Sequence, residues 1–388
     1  MSTPYERAHP HHRPLIDHIP DHNDLDVSDE EDAFYALDEG DYLLHPKWRA
    51  VITQTTNRVP RRLQRYFVIY FALFVIFCIG WGAYFGPQYA VYKQELRQME
   101  EVPEASFGKN KRPEFGGMVQ VKRLEEKWLP RGEGRLVVVG DVHGCIDEFR
   151  HLMRKVEFVE GRDHLILAGD IISKGPDSPG VVSYAAHLGA SCVRGNHEDK
   201  VLLSLAETST SPDPGPIESP ALPAATDALP EESFSRGDFA LRKLAKSFKK
   251  SQIAWLQSCP VILHVGKIGE LHDVVVVHAG LVPDIALEDQ DPFQVMNMRT
   301  VDLKTRTPSE GREGTPWEKL WNHVQKKKPA HERMTVIYGH DRKRGKNIQK
   351  HSMGLDSGCV SGGHLTAMVI EEGGKHHYVQ VKCKGYVD

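Results

Sequence analysis

Five short apolar runs in the second half of the chain each break off at a glycine-containing turn that carries a metal-binding type of side chain. The runs are Leu136 to Val139, Leu165 to Ala168, Cys192 to Val193, Val274 to Val277 and Val336 to Tyr338. Their turns read Gly140-Asp141-Val142-His143-Gly144, Gly169-Asp170, Gly195-Asn196-His197-Glu198, His278-Ala279-Gly280 and Gly339-His340. Short β-branched runs bounded by glycine are buried strands. In open α/β sheets the ligand crevice lies beyond the carboxyl ends of the strands, so the five turns converge on one site. Glycine beside each polar residue lets the backbone approach an ion or a phosphate closely. One Gly-Asp turn alone would be an ordinary turn, and one histidine an ordinary packed residue. A series bearing Asp, His, Asp, Asn, His and His matches the oxygen and nitrogen coordination of divalent cations.

In this order the turns resemble the motifs GDxHG, GDxxDRG, GNHE, HAG and a later His of the binuclear metallophosphatases of the calcineurin-like or phosphoprotein phosphatase type. The resemblance runs from about Gly134 to the C-terminus. It implies an α/β fold in which two mixed sheets form a sandwich flanked by helices. It also implies two divalent cations, one held by Asp141, His143 and Asp170 and the other by Asp170, Asn196, His278 and His340, with Asp170 shared. His197 would stand beside them as the catalytic proton donor, and Lys174, Arg194 and Arg299 would bind phosphate. Such a cation pair activates a water between the ions and neutralises the phosphoryl oxygens. This donor set accepts zinc, manganese or cobalt.

The departures from the motifs narrow the reading. Where the phosphoprotein phosphatases have GDxxDRG, this chain has Gly169-Asp170-Ile171-Ile172-Ser173-Lys174-Gly175. The acidic partner of His197 is thereby missing, and lysine replaces the planar fork of arginine with a point charge. This version, with Leu355-Asp356-Ser357-Gly358-Cys359-Val360-Ser361-Gly362-Gly363, resembles the ApaH-like branch.

The N-terminal third bears on where the chemistry occurs. No charged residue lies between Tyr66 and Ala90, and Phe67 to Phe85 is almost continuously apolar, long enough to cross a bilayer as a helix. Arg58, Arg61, Arg62 and Arg65 precede it, so the N-terminus is expected in the cytosol and the rest of the chain in a lumen, a type II single-pass arrangement. Residues 1–65 read as a disordered acidic tail, 66–86 as the transmembrane anchor, 87–130 as a stalk and 131–388 as the metallophosphoesterase domain. Within the tail, Glu39, Leu43 and Leu44 have the pattern read by a cytosolic sorting adaptor, which points to a vacuolar or lysosome-like membrane.

A lumenal ApaH-like enzyme with one N-terminal anchor resembles the fungal vacuolar endopolyphosphatases, which implies hydrolysis of phosphoanhydride bonds in inorganic polyphosphate. Dinucleoside polyphosphate hydrolysis, protein serine/threonine dephosphorylation and a non-catalytic binding role are the alternatives. Walls for a polyanion are offered by three basic clusters: Arg242, Lys243, Lys246, Lys249 and Lys250; Lys326 to Lys328; and Arg342, Lys343, Arg344 and Lys346. A formal charge of -4 over 388 residues gives no reason to expect nucleic acid. Cys78 falls in the span, and the other five cysteines, an odd set, suggest no disulfide framework beyond one possible pair. A Pro, Ser and Ala-rich insert over 207–232 reads as a mobile loop, and Phe239 to Trp255 as one amphipathic helix.

Overall fold

The computed structural model describes residues 60–101, 118–210 and 239–387. The chain divides into two compact units, Met1–Ala90 and Val91–Asp388. Helix α1 (Arg61–Glu100) contains Pro87 and supplies all the described structure of the first unit. There its apolar side chains are exposed, Phe67 71% and Ile76 65%, and by length and composition the helix is able to cross a membrane. The tail, with Glu39, Leu43 and Leu44, lies outside the described residues.

The second unit begins with β1 (Val121–Arg123), inside the expected stalk, then β2 (Leu136–Val139), α2 (Ile146–Val156), β3 (His164–Leu167), α3 (Ser178–His187), β4 (Ser191–Cys192) and α4 (Asn196–Thr210). After α5 (Phe239–Ser247) and α6 (Lys250–Gln257) come β5 (Ile262–Lys267), β6 (Asp273–Val277) and α7 (Pro292–Asn297). The short strands β7 (Thr300–Val301), β8 (Pro308–Ser309) and β9 (Thr315–Pro316) precede α8 (Trp317–Lys327). The chain closes with β10 (Met334–Tyr338), β11 (Asn347–Ile348), β12 (Ser352–Gly354), β13 (His364–Ile370) and β14 (His376–Lys382).

Two mixed sheets result, one in the order β1-β5-β6-β10-β12-β11 and one in the order β14-β13-β2-β3-β4, with a small third sheet β8-β7-β9. Alternation along each strand explains why the runs are apolar throughout rather than every second residue. Leu136, Val138 and Ile166 face Val274, Val276 and Ile337 in a core shared by the two large sheets. Val137, Val139 and Leu165 point the other way, onto Phe149, Val181 and Leu256 of the helices. Val275, Val277 and Val336 do the same on the far side, onto Val295, Trp317 and Trp321.

Three local expectations change. The single helix over Phe239 to Trp255 is two, because Lys249 takes an extended ψ of 156° and its N–H donates to the Gln252 side chain at 2.7 Å, starting a new helix. Helix α4 carries Glu207 to Thr210, and 211–232 of the insert lie outside the described residues. Four of the five cysteines outside α1 are paired, Cys192 with Cys259 and Cys359 with Cys383, while Cys145 is free and buried. The odd count hid this because the leftover thiol sits in the core behind the first turn.

Candidate active site

The turns after β2, β3, β4, β6 and β10 do meet, around the carboxylate of Asp170. Its Oδ1 is 3.3 Å from His278 Nε2, and its Oδ2 is 3.6 Å from His143 Nε2 and 3.9 Å from His197 Nε2. The donor atoms of His143, Asp170 and His197 lie within 4.8 Å of one another, as do those of Asp170, His278 and His340. Asn196 Oδ1 is 3.1 Å from His278 Nε2. Asp141 belongs to the same cluster from below, its carboxylate accepting the His340 backbone N–H at 3.0 Å. In place of the missing acidic partner, the carboxylate facing His197 is Asp170 itself.

The outer nitrogen of three of these rings meets a backbone carbonyl: His143 Nδ1 at Ile172 O (3.2 Å), His278 Nδ1 at Ala168 O (2.9 Å) and His340 Nε2 at Asn297 O (3.0 Å). A carbonyl only accepts, so the ring proton belongs on the outer nitrogen. The inner nitrogens, Nε2 of His143 and His278 and Nδ1 of His340, are left to face the shared space. Burial drives His143 down to about 4 and holds His340 well below the usual imidazole range, leaving both neutral as metal ligands must be. For His278 burial also opposes charge, but adjacent Asp170 outweighs it and pushes the ring up to about 10. Burial, with Asp356 next, drives the Asp141 carboxyl well above the usual carboxylate range. Three buried carboxylates crowded against inward-facing imidazoles fit a site built to hold cationic charge.

Local backbone geometry aims these groups. His143, Asp170 and His340 adopt left-handed φ values of 48°, 47° and 70°, which few non-glycine residues do. Glu198, wholly buried, holds the second and third turns together. Its Oε2 accepts the N–H groups of Asp170 and Gly195 at 2.9 Å, and its Oε1 those of Ile171 (2.9 Å) and Ile172 (3.1 Å). Gly195 is required there, since a Cβ would meet the Glu198 carboxylate and Asp170.

A cavity of about 560 Å³ opens over the cluster, lined by His143, Asp170, Asn196, His197 and His340. Lys174 and Arg299 line it as expected. Arg194 does not. It is buried, turned towards Asp199 at 3.4 Å and the Gln257 carbonyl at 3.5 Å, because the chain enters α4 immediately after it. Of the basic clusters only Arg342 and Lys343 reach the cavity; Arg344 is held by Glu318 at 2.6 Å, and Lys327 and Lys328 pair with Glu100 and Asp284. Asp356 and Arg312 are among the lining residues that had been given no role. Asp356, buried, follows β12, which lies parallel to β10, so it occupies the same position after its strand as His340 after β10. Arg312 reaches in from the β8–β9 loop and donates to Asp341 at 2.7 Å.

Fold and site define a metal-dependent hydrolase of phosphate esters or anhydrides. The chain belongs to the calcineurin-like phosphoesterase family, whose profile matches residues 134–364, and members of this family use two divalent metals. It is similar to the zinc-dependent endopolyphosphatase of Saccharomyces cerevisiae, 32% identical over 64% of this chain and 80% of that one. The symmetrical bis(5'-nucleosyl)-tetraphosphatase of Nitrosospira multiformis is 28% identical over 61% of this chain and 93% of that one. Among solved structures, that of a provisionally assigned diadenosine tetraphosphatase superposes with a TM-score of 0.51 and 32% identity, covering 68% of this chain and 98% of the other.

Proposed function

We propose that the protein cleaves phosphoanhydride bonds within inorganic polyphosphate. The observation that carries this is the cavity lining. Among the described residues it presents five cations, Lys174, Arg299, Arg312, Arg342 and Lys343, and no Phe, Tyr or Trp on which a purine could stack. A polymer of identical anionic units needs only repeated positive charge along an open groove. The similarity to a zinc-dependent endopolyphosphatase supports the same substrate. The competing reading, dinucleoside polyphosphate hydrolysis, is favoured by the tetraphosphatase relatives.

In this reading Asp141, His143 and Asp170 hold one cation, and Asp170, Asn196, His278 and His340 the other. Zinc, manganese or cobalt bound there supplies an activated water and neutralises phosphoryl charge. The chain's own groups do the rest. Lys174 and Arg299 orient the phosphate chain, with Arg312, Arg342 and Lys343 extending the grip outward. His197 stands at the rim to protonate the departing phosphate oxygen. Burial holds its ring well below the usual imidazole range, with Asp170 pulling the other way.

The exposed apolar stretch of α1 serves as a single membrane span in this proposal, with 1–65 cytosolic, 87–130 a connecting segment and 131–388 the enzyme. Two buried disulfides in the second unit suit an oxidising lumen and agree with the arginines ahead of the span. A vacuolar or lysosome-like membrane satisfies both.

The test is to supply the zinc-loaded full-length protein with long-chain polyphosphate, diadenosine tetraphosphate and a phosphopeptide in parallel, with Asn196→Ala as the control. Polyphosphate shortening through intermediate lengths, absent from the control, is the expected result. Preferential turnover of the dinucleotide or the phosphopeptide would overturn the substrate and keep the metal chemistry.

A further inference from the structure

We infer that the end of α1 with the residue after it, Glu95 to Glu101, is a positioning element of the active site, holding the 300–316 arm so that its loop forms one wall of the cavity. The substrate in this inference rests on the polyphosphate reading; the geometry does not. The arm consists of β7, β8 and β9, each two residues long, a sheet too small to be stable alone. Its apolar residues, Val301 and Leu303, join none of the three main cores. They form a separate small one with Met99 of α1 and Leu320 of α8, all four at most 7% exposed.

Polar contacts fasten the same junction. Arg306, also 7% exposed, donates from Nη2 to the carbonyls of Met99 (3.1 Å) and Glu101 (2.9 Å), where a helix ends without partners for its last carbonyls. Glu95 accepts Lys319 Nζ at 2.6 Å and the Thr315 hydroxyl at 3.4 Å.

The opposite side of the arm is the cavity wall. Ser309, Glu310, Gly311 and Arg312 line the cavity. The N–H of Arg299 donates to Ser309 O at 2.8 Å and its Nη1 to Glu310 O at 3.0 Å, while the Thr300 hydroxyl reaches Gly311 O at 3.0 Å. Arg299, Thr300 and Val301 are consecutive, so the residue Met99 grips lies two positions from the guanidinium that lines the cavity. An enzyme truncated after the anchor, at Gly116 for instance, keeps every metal-facing residue and loses this brace.

The test uses the full-length protein in detergent with zinc. Met99→Asp places a charge in the small core, and Arg306→Gln weakens the grip on the end of α1. In both, amide hydrogen exchange over 300–316 is expected to quicken at least about tenfold while exchange in β2 and β6 stays as in the wild type. The KM for long-chain polyphosphate is expected to rise about tenfold, the loss of one charge-assisted contact, with kcat within about twofold. Unchanged exchange in the arm, or a loosened arm with an unchanged KM, overturns the inference. If Met99→Asp also loosens β2 and β6, Arg306→Gln decides. If the wild type leaves polyphosphate intact, the substrate reading fails by itself, and the exchange measurement still decides whether α1 braces the arm.

Discussion

Replacing Glu198 with glutamine is expected to loosen the metal site from behind while leaving every metal-facing side chain in place. The Glu198 carboxylate accepts four backbone N–H groups, two on each oxygen, in a position with no solvent access. Glutamine retains one oxygen, which satisfies two donors, and turns an NH₂ group towards the other two. Two buried N–H groups without acceptors cost about 1–3 kcal/mol each, so roughly 2–6 kcal/mol of stability is lost. Alanine leaves all four, about 4–12 kcal/mol, comparable to the whole stability of an ordinary domain of about 5–15 kcal/mol. Glu198→Ala is therefore expected not to accumulate as folded protein. For Glu198→Gln, urea denaturation should show a lower midpoint with an unchanged slope. Zinc competition should show affinity weakened by about 10–100-fold, because Asp170 and Asn196 lie on the turns it fastens. A Glu198→Gln protein with the wild-type midpoint and wild-type zinc affinity would refute the reasoning.

Asp170→Asn should reduce polyphosphate hydrolysis by at least about a thousandfold and lower bound zinc from two ions to one or none by elemental analysis; two retained ions would contradict a shared ligand. His164, buried against Trp128 and 2.9 Å from the Ser191 hydroxyl, is held at about 4 by burial, against about 6.5 in the unfolded chain. Below pH 6.5 the unfolded state takes a proton that the folded state refuses, so this stability is full above 6.5 and is lost as pH falls towards 4, about 3 kcal/mol in all. Urea midpoints at pH 7.5 and 4.5 should therefore differ more in the wild type than in His164→Gln. Thiol labelling of the denatured, unreduced protein should find two reactive cysteines, Cys78 and Cys145, rather than six, and Cys192→Ser with Cys259→Ser should cost about 2–4 kcal/mol by denaturant titration.

The turns carrying Asp141, His143, Asp170, Asn196, His278 and His340 were legible in the sequence because strand, glycine and polar residue are neighbours in the chain. What remained hidden depends on residues distant in sequence. Arg194 occupies a motif position, yet its direction is set by Asp199 and Gln257, which no local pattern places. Asp356 sits in a quoted segment and follows a strand, but β12 is only three residues long and Ser352-Met353-Gly354 carries no strand signature. Glu198 looked like the last letter of a motif; its four donors come from two separate turns. The disulfides and the brace from α1 to Val301 join segments 24 to about 200 residues apart, beyond any periodicity.

The left-handed backbone at His143, Asp170 and His340 sets function against heat resistance at three positions. An L-residue there costs about 1–2 kcal/mol in conformational energy that glycine avoids. At each, a glycine variant should therefore melt at a higher temperature than the alanine variant, though both lose the side chain that faces the site. A lineage in which this activity became dispensable would be drawn towards glycine first at His143, Asp170 and His340, so inactive descendants of such a fold should be recognisable by glycine at these three positions rather than by random decay.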